Sequence, residues 1–172
     1  VMAEDGQKMS KSLGNIVEPQ NVYNQQGADI LRLWVVGSDY SEDLRIGPEI
    51  LKQHSDVYRR LRNTLRFIIG NLNGFDESEK LDISEMPELE RWVLNRIWCM
   101  DSQLRKACDD FAFHALFSEL HNFCGLDLSA FYFDIRKDSL YCDRLDDMRR
   151  RAARTVLDIL FDCLTAWLAP FL

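Results

Sequence analysis

The sequence predicts a mainly α-helical protein, an antiparallel helix bundle preceded by a loop and a short connecting segment. Three observations carry that reading. Only 8 Gly and 4 Pro punctuate 172 residues, too few for short β-strands that turn about every 8–12 residues. Beyond residue 48, apolar residues recur at steps of three and four, the period of one helix face. Two of the prolines, Pro48 and Pro87, stand just ahead of those stretches. There a missing N–H and a fixed φ suit a first helical turn.

Residues 1–20 hold Gly6, Gly14 and Pro19 and read as a loop entered through a short strand at Val1–Ala3. Residues 19–27 read as a helical turn ended by Gly27. Ala28–Gly37 is either a buried helix or a strand, since its length and β-branched end fit both. Residues 38–47 are a polar loop. From Pro48, a long helix has one face through Ile50, His54, Val57, Leu61, Leu65, Ile68 and Leu72, and it closes in Gly70–Gly74. An acidic loop covers 75–86. A second long helix runs from Pro87 through Trp92, Leu94, Ile97, Trp98 and Leu104 toward Cys108. A third covers Ala112–Phe123. A fourth covers Asp127–Tyr141, with Phe131, Ile135 and Leu140 facing inward. A fifth begins near Asp146 and runs to Leu168, halted by Pro170. No internal repeat is present. Residues 1–47 form a leading unit, and residues 48–172 form a bundle with short connections.

An apolar content of 47% excludes wholesale disorder. The formal charge of -7 argues against nucleic acid on average, but a basic face on one helix survives such an average. The five cysteines contain no C-x-x-C pair, so neither a disulfide framework nor a zinc knuckle is expected, and a reducing compartment is. The most apolar stretch, Thr155–Leu172, is broken by Asp158 and Asp162 and is too short to span a bilayer. No secretory leader is read, and a cytoplasmic location is expected. Val1 and the apolar run Ala169-Pro170-Phe171-Leu172 read as cut ends, so the chain is expected to be an excerpt of a longer protein.

Residues 8–12 read Lys-Met-Ser-Lys-Ser, a run that chance yields on the order of once in ten thousand chains of this length. With Asp5-Gly6-Gln7 before it and Leu13-Gly14-Asn15 after it, the run resembles the KMSKS loop of class I aminoacyl-tRNA synthetases. The resemblance continues through Gly27–Trp34, through Arg59–Phe67, and through Leu120–Cys124 with Asp127–Asp138. It covers essentially the whole chain and is greatest toward the isoleucine-specific members of bacterial type. It implies an enzyme that activates isoleucine with ATP and Mg²⁺ and transfers it to its tRNA. Valine- or leucine-specific relatives, or a non-catalytic helical scaffold, are the alternatives. The resemblance assigns catalysis to Lys8 and Lys11, and ATP contact to Lys8, Met9, Ser10, Lys11 and Ser12. Ammonium groups stabilise charge building on departing phosphates, hydroxyls add neutral donors, and Met9 is read as a packing residue. The family's His-x-Gly-His motif has no match at His54, His114 or His121, so this chain alone is expected to be inactive. The amino acid would be bound by the missing catalytic domain, and the whole enzyme would act as a monomer.

At 100° per residue, Lys52, Arg59 and Arg66 fall within about 40° of one another, with Arg62 and Asn63 flanking them. Lys52–Arg66 carries five basic residues against Asp56, locally +4. A solvated helix face would look the same. With the resemblance, Lys52, Arg59, Arg62, Asn63 and Arg66 are expected to contact tRNA. Arg149, Arg150, Arg151 and Arg154 are read as a salt-bridged surface, with Asp146 and Asp147 as partners. The four tryptophans are assigned to the core by default, with either Trp92 or Trp98 partly exposed. His114, His121 and Cys124 offer poor tetrahedral geometry from one helix, so no metal site is expected.

Overall fold

Residues 1–172 are all described by the computed structural model. The chain forms β1 (Met2–Ala3), α1 (Pro19–Gln26), α2 (Ala28–Gly37), β2 (Arg45–Ile46), α3 (Pro48–Asn71), α4 (Glu88–Asp109), α5 (Phe113–Asn122), α6 (Phe133–Cys142) and α7 (Met148–Leu168). Between α5 and α6, residues Phe123–Tyr132 wind as π-helix. The two short strands pair in parallel, Met2 with Arg45 and Ala3 with Ile46. No helix is long and apolar enough to cross a membrane.

The ambiguity at Ala28–Gly37 resolves as helix. Its buried residues Ile30, Leu33 and Trp34 sit at i, i+3 and i+4, and Gly27 ahead of it takes φ +94°, which ends α1 and redirects the chain. α3 and α4 begin at the predicted prolines, and Pro48 occupies the first turn of its helix. The acidic stretch after α3 is not featureless. Asp76 and Asp82 cap two 3₁₀ turns by accepting from the backbone N–H groups of Ser78 and Ser84.

Two expectations are corrected. The predicted third and fourth helices are one continuous rod, because the π-turns carry the chain from α5 into α6 without a break. The predicted inward face holds only at Leu140: Phe131 and Ile135 are exposed, and Leu128, Tyr132 and Phe133 are buried with Leu140. A π-turn holds more residues than an α-turn, so steps of four and five line up where steps of three and four would in an α-helix. In α4 the buried line is Glu90, Val93, Ile97, Met100 and Leu104. Trp92 lies at the edge, and Trp98 points outward at 70% exposure.

α7 is the centre of the bundle. It packs on α3, α4 and α6 and buries Ala152, Ala153, Val156, Leu157, Leu160, Leu164 and Leu168. A smaller second core joins Val22, Ile30, Trp34, Ile46 and Leu51, with Met9 and Val17 against it. α2 serves both cores, since Leu33 belongs to the main one. Trp34 Nε1 donates to Arg45 O (2.9 Å) within the leading segment, and two further ties fix that segment to the bundle: Tyr40 Oη donates to Phe111 O (2.9 Å) and Arg32 Nε to Phe171 O (3.0 Å).

Candidate functional site

The lysine loop is built by its own polar side chains. A tight turn precedes it, with Gly6 at φ +81° and Ala3 N–H donating to Gln7 O at 2.9 Å. Lys8 then bridges back to Met2. Ser10 caps a 3₁₀ turn over Lys11–Leu13 by accepting from Leu13 N–H (3.3 Å), and its hydroxyl shares a hydrogen bond with that of Ser12 (2.7 Å). Gly14 closes the turn in the left-handed region at φ +65°, donating to Lys11 O. Asn15 clasps the two ends: its Oδ1 accepts from Ser10 N–H (2.8 Å), and its Nδ2 donates to Lys8 O (3.3 Å).

The result is two cations on an organised loop. Lys8, Lys11 and Ser12 are exposed. No carboxylate lies within ion-pairing distance of either lysine. Met9 turns the other way and packs against the smaller core. A free ammonium pair beside hydroxyl donors is suited to phosphate oxygens.

α3 carries the basic stripe on its exposed side. Lys52 and Arg59 each have a neighbouring carboxylate, Glu49 at 3.7 Å and Asp56 at 3.3 Å. Arg60, Arg62 and Arg66 are exposed and have none. The Asn63 side chain is exposed as well. Beyond the stripe, a cleft of about 410 Å³ opens between α3 and the long rod. Arg60 and Asn63 form one wall, and His121, Asn122, Gly125 and Ser129 the other, with Leu126 at the mouth. Burial, aided by the Arg60 charge, pushes the His121 imidazole below its usual pKa.

The remaining candidates separate from these surfaces. Arg154 is buried, donating to Glu79 (2.7 Å) and to Asn73 O (3.0 Å) while lying over the Phe75 ring. Arg151 holds Glu79 O and Ser78 O. This cluster is therefore a bracket that fastens the acidic loop to α7. Its partners are not the expected pair, since Asp147 caps α7 through Arg149 and Arg150 N–H and Asp146 pairs with Arg144. His114 lies 3.9 Å from Asp39, and Cys124 is buried with its thiol pushed up to about 12. No group of three or more His, Cys, Asp or Glu side chains is placed to hold a metal ion.

Sequence reasoning missed Asn15, and it missed Glu4. Gly47 offers no side-chain cap to α3. Glu4 reaches across instead and accepts from Ile50 N–H at 3.0 Å. A carboxylate there also suits the positive end of the helix dipole. A Cβ on Gly47 would lie 2.5 Å from that of Glu4, so only glycine admits the contact.

The lysine loop is thus joined through a small core to a helical bundle. Residues 1–47 match the family of class I tRNA synthetases for I, L, M and V. Residues 90–172 match the anticodon-binding domain of tRNA ligases. The leading segment thus matches the class I tRNA synthetases, and the part of the bundle from residue 90 onward matches their anticodon-binding domain. Over its whole length it is homologous to part of the isoleucine–tRNA ligases. It is 61% identical to the enzyme of Ruegeria pomeroyi over 98% of this chain, 53% to that of Caulobacter vibrioides over 98%, and 54% to that of Gluconobacter oxydans over 100%. It spans only 17–18% of the length of these relatives. The fold is shared with an Agrobacterium radiobacter LeuRS solved in a ternary complex with tRNA and LeuAMS. That likeness has a TM-score of 0.70 at 17% identity and covers 99% of this chain and 20% of that one.

Proposed function

We propose that this chain is the part of an isoleucine–tRNA ligase that steadies ATP during activation and grips the anticodon end of the tRNA. The observation that carries the catalytic half is the pair of exposed lysines, Lys8 and Lys11, held without a carboxylate on a loop whose backbone is pinned by Ser10 and Asn15. Isoleucine and ATP give isoleucyl-adenylate and pyrophosphate. Negative charge grows on the departing pyrophosphate, and Lys11, supported by Lys8, meets it. Ser10 and Ser12 supply neutral donors, and Met9 anchors the loop. Mg²⁺ accompanies the ATP phosphates. The amino-acid pocket lies in the missing catalytic part, so this chain alone forms no adenylate.

The binding half rests on α3. Lys52, Arg59, Arg62, Asn63 and Arg66 track the phosphates of isoleucine tRNA, with residues 48–172 as the tRNA-binding unit and residues 1–47 as the end of the catalytic domain. The identity of 53–61% to isoleucine–tRNA ligases favours isoleucine over valine or leucine. The whole enzyme works in the cytoplasm as a monomer.

In the full-length enzyme, Lys11→Ala should slow ATP–pyrophosphate exchange by roughly 10²–10³-fold, the cost of one lost charge-stabilising group. Its tRNA affinity should not change. Equal loss of exchange and of tRNA binding would overturn the assignment. The 172-residue chain should prefer isoleucine tRNA to valine and leucine tRNAs at moderate salt, and equal binding to all three would remove the specificity claim.

A further inference from the structure

We infer that Asn15 is a positioning residue for adenylate formation, its side-chain amide acting as a strand partner that sets the direction of Lys8 and of the turn carrying Lys11. This role rests on the reading of the lysine loop as ATP-facing, and it adds a residue that touches neither substrate.

The backbone ahead of the turn runs as a short strand. Lys8 forms an antiparallel bridge with Met2, and Ser10 is extended at φ -148° and ψ 144°. Such a strand has two edges. Ala3 N–H, donating to Gln7 O at 2.9 Å, closes the edge toward β1. The other edge presents the Lys8 C=O and the Ser10 N–H, one on each side of Met9. Asn15 takes both, donating from Nδ2 to Lys8 O (3.3 Å) and accepting at Oδ1 from Ser10 N–H (2.8 Å). One amide N–H and one amide C=O on the two neighbours of a facing residue reproduce the pairing of a parallel strand. Gly14, left-handed at φ +65°, turns the chain so that Asn15 comes back against this edge. No other side chain bonds to the backbone of residues 8–12.

This pairing fixes directions. Successive side chains of a strand point to opposite faces, so holding the peptide units on both sides of Met9 turns Met9 one way and Lys8 with Ser10 the other. Met9 packs against the smaller core, and Lys8 is exposed. Ser10 then caps the 3₁₀ turn that carries Lys11 by accepting from Leu13 N–H. Both lysines are thus oriented from one amide. In the reaction, the isoleucine carboxylate attacks the α-phosphorus of ATP, the bond to the bridging oxygen breaks, and its electron pair leaves with pyrophosphate. The charge that the lysines meet grows along that step. A misdirected lysine therefore loses more contact with the transition state than with bound ATP.

The test is single-turnover formation of isoleucyl-adenylate by the full-length enzyme over a series of ATP concentrations. Asn15→Ala should lower the rate at saturating ATP about tenfold, the size of a lost hydrogen-bond pair at its modest net strength. The half-saturating ATP concentration should move by no more than about twofold. Asn15→Asp keeps the acceptor, loses the donor to Lys8 O and sets a carboxylate beside two unpaired lysines, so it should be slower than Asn15→Ala. The discriminating readout is the cycle with the lysines. In an enzyme carrying Lys8→Ala and Lys11→Ala, adding Asn15→Ala should cost no more than about twofold, because no ammonium group is left to direct. The tRNA affinity and thermal midpoint of Asn15→Ala should match those of the unaltered enzyme. A full tenfold cost in the doubly substituted background overturns the inference, since Asn15 would then act through something else. So does an unchanged rate in Asn15→Ala, a loss confined to the half-saturating ATP concentration, or a loss shared by tRNA affinity and thermal midpoint. If the Lys8→Ala, Lys11→Ala enzyme is as fast as the unaltered one, the ATP-facing reading itself is overturned.

Discussion

Replacing Glu90 by Met would leave the Arg136 guanidinium without a counter-charge inside the bundle. Glu90 is fully buried. Its Oε1 accepts from Arg136 Nε (2.6 Å) and Tyr132 Oη (3.1 Å), and its Oε2 accepts from Arg136 Nη2 (2.8 Å). Breaking a buried pair by removing one partner costs about 3–5 kcal/mol. Arg136 retains 13% side-chain exposure, so water reaches part of the stranded charge and the loss should fall near 3 kcal/mol. Arg136→Met should cost more, about 4–5 kcal/mol, because it strands a carboxylate with no exposure at all. Glu90→Met with Arg136→Met removes both charges. What is left is an orphaned Tyr132 hydroxyl, worth about 1–3 kcal/mol, offset in part by apolar packing. The double variant should therefore be more stable than either single one. Equilibrium urea unfolding of the four proteins measures all the terms of the cycle. If the double variant instead loses the sum of the two single losses, the charges are not coupled, and the reasoning from burial and geometry is wrong.

Arg62→Ala with Arg66→Ala should flatten the dependence of log K on log salt for tRNA by about 1.5, at roughly 0.7–0.9 per lost cation. Lys52→Ala, already beside Glu49, should flatten it less, and equal slopes for all three proteins would count against the stripe. In native protein, alkylation followed by mass mapping should modify the exposed Cys108 and Cys142. Cys124, whose thiol burial pushes up to about 12, should stay unmodified; equal labelling of Cys124 and Cys142 would refute its burial. Stability should fall with acid in two stages. The unfolded His121 takes up a proton near pH 6.5, while burial and Arg60 hold the folded imidazole below that value. Folding is therefore disfavoured as pH drops through the window between them. Asp76, Asp82 and Asp101 are held below the usual carboxylate range by hydrogen bonds from Ser78, Ser84 and Arg105 respectively. Their contribution is present above about pH 3.9 and disappears as pH falls through their folded values. The urea midpoint against pH, for the chain and for His121→Gln, reads both stages; an unaltered profile in the variant would remove His121 from the first.

The long helices were legible because each repeats one period over many turns, and α3 and α4 also start at a proline. On α3 the predicted face turns inward, with Leu61 and Ile68 buried and Val57, Leu65 and Leu72 partly buried against the core, and the helix at Ala28–Gly37 shows its period once Ile30, Leu33 and Trp34 are seen inward. The π-turns were not legible. Phe123–Tyr132 holds no breaker that requires them, and their wider winding moves Phe131 and Ile135 to the surface. Which of Trp92 and Trp98 reaches the surface was not legible either, since a large apolar residue on an outer face carries no local mark of exposure. Lys8–Ser12 could be recognised because a contiguous run needs no partner. The cleft could not, because Arg60 and Asn63 meet His121 and Asn122 only when the rod packs on α3. Buried pairs are equally silent: Glu90 finds Arg136 at a separation of 46 residues, and Glu4 finds the first turn of α3 at the same separation.

That last contact bears on how the two surfaces act together. α3 receives the leading segment at its first turn, through the Glu4 carboxylate on Ile50 N–H and through Leu51 in the smaller core. The same helix carries the unpaired arginines out to Arg66, about 27 Å further along at 1.5 Å per residue. Met9, inside the lysine motif, packs on that smaller core. A displacement at either end of α3 is therefore transmitted through packed side chains and one charge-assisted hydrogen bond rather than through a slack linker. The helix thus joins the lysine loop at one end to the basic stripe along its length. Gly6, just after β1, and Gly14, closing the turn at Lys11, both take positive φ and bound the lysine loop.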